Sequence, residues 1–291
     1  MLLKKYLNLK IKKNIFKKEW HKIEKTGARP TTYGKLISID YLEFISKIFE
    51  QDDVFVKKVV RSIYDGDLYL LKKAIDKNKV YQIIEGATKF FKNRPPEFHK
   101  MIEGVPNFHR WIDEGQAKNY SIRHVKHSLY LFNWNKDISK IRETVMEACI
   151  PLKLLAGLSL NQYYENTPKN NIVERVQIVR YPPGGYIEPH YDNNKIIRLI
   201  IAGYLSKKGK SYQKGGFYVT SKNRKLDMEN QIDEGDIGFF YASLKHGLET
   251  IDPHKKAIKN KKNGRWWFGY NIHNSDLTKK RHVATPVKLK F

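Results

Sequence analysis

The sequence predicts an α+β protein: helices towards the N-terminus, then a β-rich barrel or sandwich. Two observations carry this. Between residues 40 and 92 apolar side chains recur at helical spacing, Leu42, Ile45, Ile48 and Phe49 and again Val56, Val59, Val60 and Ile63. From Ile172 onward the texture changes to short β-rich runs, at 173–180, 196–205, 216–220, 236–241 and 265–272, separated by Gly, Pro and Asn clusters. Runs of that length and spacing suit a sandwich or a jelly roll, which closes two sheets over a pocket.

The elements follow in order. Residues 1–25 alternate basic and apolar side chains and lack the unbroken apolar stretch of a signal peptide. A membrane-surface helix is one reading; a helix or strand packed on the domain is the better one. The helical pattern is punctuated at Asp65-Gly66-Asp67 and broken at Asn93-Arg94-Pro95-Pro96. Residues 1–100 are therefore expected to form a mostly helical extension or subdomain, and 101–291 the β-rich domain, with its core at about 172–275. Residues 120–134 alternate as a strand. Asp137 then suits a helix cap, with Ile138, Ile141, Val145, Ala148 and Leu152 on one face until Pro151 kinks or ends the helix.

Composition narrows the class. The chain has 291 residues, of which 55 are Lys or Arg and 30 are Asp or Glu, a net charge of +25. A polyanionic partner such as nucleic acid, an anionic glycan or a membrane surface is one explanation. Lysines scattered along the chain, with Ile and Asn also common, favour a compositional one. The single cysteine, Cys149, excludes an intrachain disulfide and fits a reducing compartment. It lies in an apolar helical stretch, as a small core residue would. No run of 18 apolar residues exists, so no transmembrane helix is expected.

The chemistry concentrates in the β-rich half. His190-Tyr191-Asp192 places an imidazole and a carboxylate two residues apart, on one side of an extended segment. The turn Tyr181-Pro182-Pro183-Gly184-Gly185-Tyr186 precedes it. His246 follows a turn and the apolar strand of residues 236–241. Two imidazoles and one carboxylate leave coordination positions open, as in non-haem iron(II) sites, whereas structural zinc wants four ligands and usually thiolates. Arg265 sits in the aromatic strand Gly264-Arg265-Trp266-Trp267-Phe268-Gly269-Tyr270. A guanidinium there needs a partner: a bidentate carboxylate ligand, or an internal Asp or Glu. Arg265 and Trp267 share one face, and Trp266 and Phe268 share the other, where core packing is the simpler role. His109, His124, His127, His254 and His273 read as surface or structural histidines, and Asp233 and Asp236 as turn residues. Tyr241 points into the barrel or merely packs.

From about Val176 to Asn271 the sequence resembles the 2-oxoglutarate- and iron(II)-dependent oxygenases, in their prolyl-hydroxylase-like branch. The resemblance is carried by Tyr181 to Asp192, Gly203-Tyr204-Leu205, Gly215-Gly216-Phe217, Glu234-Gly235-Asp236, His246-Gly247 and Arg265, in that order. It implies a double-stranded β-helix (jelly-roll) catalytic core. It implies Fe(II) on His190, Asp192 and His246, with 2-oxoglutarate and O2 as co-substrates. It further implies that Arg265 grips the distal carboxylate of 2-oxoglutarate, with Tyr204 and Tyr181 near the same pocket. The expected activity is hydroxylation of a small metabolite, saccharide or peptide side chain, in a soluble, cytoplasmic enzyme. Asp192 favours hydroxylation or desaturation over halogenation. The Trp-Trp-Phe-Gly-Tyr-Asn run after Arg265 departs from the nucleic-acid demethylase pattern, so nucleic acid is a disfavoured partner. The lysine-rich stretch at 255–262 departs from the branch and is expected to bulge as a loop. Residues 193–198 and the N-terminal region are expected to line the substrate mouth. The rivals are a non-catalytic jelly-roll module binding nucleic acid or anionic glycan through its lysines, and a cupin-like metal enzyme that does not use 2-oxoglutarate.

Overall fold

Helices cover one face of a large, mostly antiparallel sheet in the computed structural model, which describes residues 2–192, 196, 198–221, 224–259, 262–279, 281 and 284–287. In chain order the elements are α1 (Leu2–Asn8), α2 (Ile15–Glu24), β1 (Leu36–Asp40), α3 (Tyr41–Glu50), α4 (Asp53–Tyr64), β2 (Leu68–Lys72), α5 (Lys77–Asn93), β3 (Phe108–Ile112) and α6 (Glu114–Ala117). There follow β4 (His124–Phe132), α7 (Ile141–Cys149), α8 (Pro151–Leu155), β5 (Ile172–Tyr181), β6 (Tyr186–Tyr191), β7 (Leu199–Tyr204), β8 (Gly216–Ser221), β9 (Arg224–Asp227), β10 (Ile237–Tyr241), β11 (His246–Glu249), β12 (Arg265–Asn274) and β13 (Thr285–Pro286).

Strand order identifies the jelly roll. One sheet runs β10-β7-β12-β5 and the other β6-β11-β8-β9, so from β5 to β12 chain neighbours sit in opposite sheets, except for the β8–β9 hairpin. β4 joins them, pairing β5 through residues 127–132 and β6 through His124 and Val125. Sequential strands that alternate between two sheets are the jelly-roll signature.

The alternating pattern explains which face is which. On β12, Trp266, Phe268, Tyr270 and Ile272 point outward into the core shared with the helices, together with Val176 and Ile178 of β5. The inward face carries Arg265, Trp267, Asn271 and His273, all lining the cavity between the sheets. The division predicted for Arg265, Trp267, Trp266 and Phe268 holds.

The N-terminal half differs from the sequence expectation at one place. Leu68–Lys72 falls within the stretch read as helical, yet forms β2, parallel to β1 and antiparallel to β10. The segment Leu-Tyr-Leu-Leu-Lys has too few residues to show a period. Its burial on both faces needs continuous apolar character, which a helix core also shows. The N-terminal residues pack on the domain: Phe16 and Trp20 of α2 are fully buried, and Trp20 Nε1 donates to Leu155 O at 2.6 Å. Asp137 receives the amides of Arg142 and Glu143 at the start of α7, while Pro151 ends that helix and opens α8. No described helix is long and apolar enough to cross a membrane.

Candidate metal centre

The candidate metal site is built by strand register. β6 and β11 are antiparallel neighbours, and His246 lies directly opposite His190. Side chains opposite each other in a ladder point to the same face, and the two rings lie 4.4 Å apart, centroid to centroid. Asp192 follows β6 by one residue, and its amide donates to Ala242 O at 2.9 Å, which fixes the strand end beside the β10–β11 turn.

Each imidazole is oriented from behind. His190 Nδ1 lies 2.8 Å from Glu188 O, and His246 Nδ1 lies 2.9 Å from Leu244 O. A carbonyl can only accept, so each Nδ1 carries the proton and each Nε2 presents its lone pair. His246 Nε2 is 3.5 Å from an Asp192 carboxylate oxygen. One donor atom from each of the three residues lies within 4.8 Å of the others. Burial holds the His190 imidazole well below its usual range, and the neighbouring His246 adds to this. Burial also raises the Asp192 carboxyl, against the opposing pull of His246 and Lys126. A neutral imidazole is the form that ligates a metal. A divalent cation would relieve the cost of desolvating the carboxylate. Two Nε2 lone pairs and one carboxylate at this spacing fit a non-haem iron(II) ion.

Arg265 occupies the cavity wall on β12, directly opposite Tyr181 of β5. Gly264 makes the entry possible: its φ is +117°, and a Cβ there would collide with Tyr181 O. The upstream loop is held by Arg180, which donates to the carbonyls of Ile258, Lys259 and Asn263 at 2.7 to 2.9 Å. The stretch expected to bulge therefore does so as an anchored loop as far as residue 259; residues 260 and 261 lie outside the described residues.

Arg265 has an internal partner that sequence reasoning did not name. Its Nε donates to Glu229 Oε1 at 2.8 Å, and both side chains are buried. Glu229 also accepts from the Tyr212 hydroxyl and the Phe217 amide. Gly216, at φ +134°, leaves room beneath it, since a Cβ there would sit 2.6 Å from Glu229 Cγ. The signal available in sequence was the general need of a buried guanidinium for an acid. Nothing singled out Glu229, which is far from Arg265 in the chain. The Tyr204 ring lies 5.5 Å from the Arg265 guanidinium carbon. Tyr204, Tyr181, Arg265 and the triad line a single cavity of about 410 Å³.

Other expectations fare unevenly. Cys149 is buried in the core and His254 is exposed. His109 and His127 are buried and hydrogen-bonded to each other at 2.8 Å. His124 and His273, expected to be surface or structural, line the cavity, because β4 and β12 turn those positions inward. Tyr241 packs outward against Trp20 and hydrogen-bonds Glu24. Asp236 does more than shape a turn: it is buried and paired with Lys72. Of the segment expected at the substrate mouth, residues 193–195 and 197 lie outside the described residues, and Arg198 is turned toward Glu24 and Ala156 O.

No family model matches the chain, and no curated protein matches it in sequence. Solved structures match it in fold. A prolyl hydroxylase from Trichoplax adhaerens, in complex with a hypoxia inducible factor peptide fragment, has a TM-score of 0.47 at 12% identity, covering 76% of this chain and 90% of its own. A Neurospora crassa protein solved with alpha-KG and thymine has a TM-score of 0.48 at 12% identity, covering 83% of this chain and 86% of its own. A Pseudomonas putida prolyl-4-hydroxylase has a TM-score of 0.44 at 11% identity, covering 70% and 90%. The chain is similar to 2-oxoglutarate- and iron(II)-dependent oxygenases of known structure.

Proposed function

We propose that this protein is an iron(II)- and 2-oxoglutarate-dependent oxygenase that hydroxylates a C–H bond of a small metabolite, saccharide or peptide side chain. The observation that carries the reading is the triad: two imidazoles pinned through Nδ1 to backbone carbonyls, with their Nε2 atoms and the Asp192 carboxylate drawn together. Bound iron(II), with 2-oxoglutarate and dioxygen, would supply the oxidation of an unactivated C–H bond, releasing succinate and CO2.

The chain's own residues have separable tasks. His190, Asp192 and His246 would hold the metal, and the cavity they line would admit the co-substrate. Arg265, with Tyr204 beside it, positions the distal carboxylate of 2-oxoglutarate. Glu229 neutralises Arg265 and fixes its fork, so the grip works through directed hydrogen bonds more than through net charge. Tyr181 stays a neutral donor, because burial pushes its hydroxyl well above the usual phenol range. The apolar wall of Ile200, Phe217, Phe240 and Leu248 keeps water from the reacting atoms.

Succinate release from 2-oxoglutarate, measured with iron(II) and candidate substrates, tests the reading. The expected result is turnover that needs both iron(II) and oxygen, and that falls more than about 100-fold in Asp192→Ala. A protein that binds anionic glycan or nucleic acid through its lysines, with normal retention by Asp192→Ala and no iron dependence, is the contrary result.

A further inference from the structure

The cavity continues past the triad, away from Arg265, and its far wall is cationic. Lys126 of β4 and Arg175 of β5, both half-buried, line it. Among the described residues Lys126 makes no hydrogen bond or ion pair, and Arg175 has the face of Tyr130, 4.7 Å from its guanidinium carbon, and the pull of Asp276, which is itself paired with Arg281. Arg175 Nε is buried without a hydrogen-bond partner. Arg175 lies directly opposite Asn271 on β12, so the two share the inward face. Asn271 Nδ2 and, two residues on, His273 Nε2 are likewise buried and unpartnered. The nearby Arg281 differs, since it is paired with Asp276.

Folding does not account for this wall. A buried donor left unsatisfied is costly, and a desolvated cation more so. Elsewhere the chain satisfies its interior cations: Lys153 with Glu174 at 2.7 Å, Arg265 with Glu229 at 2.8 Å, and Arg180 with three backbone carbonyls. Burial, with Arg110 and Arg175 nearby, lowers the Lys126 ammonium to about 8, against the opposing pull of Asp192. Charge counting reaches the same point. A divalent metal and dianionic 2-oxoglutarate cancel, and Asp192 offsets one of the two cations. The other has nothing to balance it.

We infer that the primary substrate is an anionic small molecule whose oxyanion, a phosphate or carboxylate, binds Lys126 and Arg175 while its reacting carbon lies at the triad. The assignment of this anion to the substrate rests on the oxygenase reading; the anion site itself does not. Lys126 and Arg175 then determine specificity, and Asn271 and His273 supply further polar contacts to the anionic end.

The test is calorimetric titration of the full chain, loaded anaerobically with manganese(II) and saturating 2-oxoglutarate. Phenyl phosphate, phenylacetate and benzyl alcohol serve as probes of matched size. At least one anionic probe is expected to bind at least about tenfold more tightly than benzyl alcohol, and the tighter of the two identifies the oxyanion. Lys126→Met is expected to weaken that probe about tenfold, the scale of one charge-assisted hydrogen bond, while raising Tm because an unpaired cation is removed from the cavity wall. The raised Tm separates lost binding from failed folding. Arg175→Lys is expected to retain part of the affinity. Lys89→Met, an exposed lysine on α5 with the same change in net charge, is expected to leave it unchanged. Equal binding of all three probes, or equal weakening by Lys126→Met and Lys89→Met, overturns the inference. So does anion binding that disappears when 2-oxoglutarate is saturating, because 2-oxoglutarate itself would then occupy Lys126 and Arg175. Anion binding in a protein that shows no metal-to-2-oxoglutarate charge-transfer band would instead leave the anion site standing and remove the oxygenase reading.

Discussion

Glu229 turns Arg265 from a buried liability into a fixed tool. Removing its charge in Glu229→Gln leaves a guanidinium buried with a weakened partner, a change expected to cost about 3 kcal/mol of stability. It also frees the fork to move, so on the proposed reading KM for 2-oxoglutarate should rise by about tenfold or more while the His190, Asp192 and His246 cluster stays intact. Thermal unfolding and steady-state kinetics on the one variant check both. A variant with unchanged KM would remove the positioning role. The triad was legible at this scale because a His-x-Asp step in an extended segment puts both groups on one face, whatever the rest of the fold does. Glu229 was not, since its approach depends on a glycine at φ +134° and on a turn between β9 and β10 that brings distant chain together. Lys126 and Arg175 were hidden for a different reason: among so many scattered lysines and arginines, only their place in the fold separates those that matter.

The docking of α5 on β3 and β4 shows the physics of elements. His127 of β4 stacks on Phe91 of α5 at 3.6 Å between ring centroids, and hydrogen-bonds His109 of β3, which in turn bonds Arg94 O at the end of the helix. Burial lowers the His127 imidazole to about 2 and lowers His109 as well. Both are therefore neutral in the fold and protonate more readily when unfolded. The stability they contribute is complete above about pH 6.5 and is lost as pH falls below it. At pH 5 the His127 share of that loss is about 2 kcal/mol. Denaturant unfolding at pH 7.5 and pH 5 should show the loss in the wild type and a smaller one in His127→Phe. Equal losses would contradict the assignment. At this scale the long periodic helices and the alternating strand β4 were readable, because each contains several repeats of its period. The short strand β2 was not, because its first four residues are all apolar and its identity is set by pairing with β1 and β10.

At the level of the whole molecule, the N-terminal residues are a structural part of the jelly-roll core. β2 extends the sheet at β10, and α2 seats Phe16 and Trp20 in the same core as the outward residues of β12. Deleting residues 2–25 removes two fully buried aromatic side chains, each worth about 3–5 kcal/mol. The truncated chain should lose more than about 5 kcal/mol and unfold or aggregate, as read by circular dichroism and gel filtration. A folded, equally stable truncation would show that α1 and α2 are accessory. Composition described the surface of the molecule but not its interior: the net charge of +25 is spread along the chain, while Lys126, Arg175 and Arg265 line the cavity. The most direct test of the central claim is anaerobic optical titration with iron(II) and 2-oxoglutarate. The account predicts a metal-to-ligand charge-transfer band that saturates at one iron per chain and is absent in His246→Ala. No band in the wild type, or an undiminished band in that variant, would contradict it.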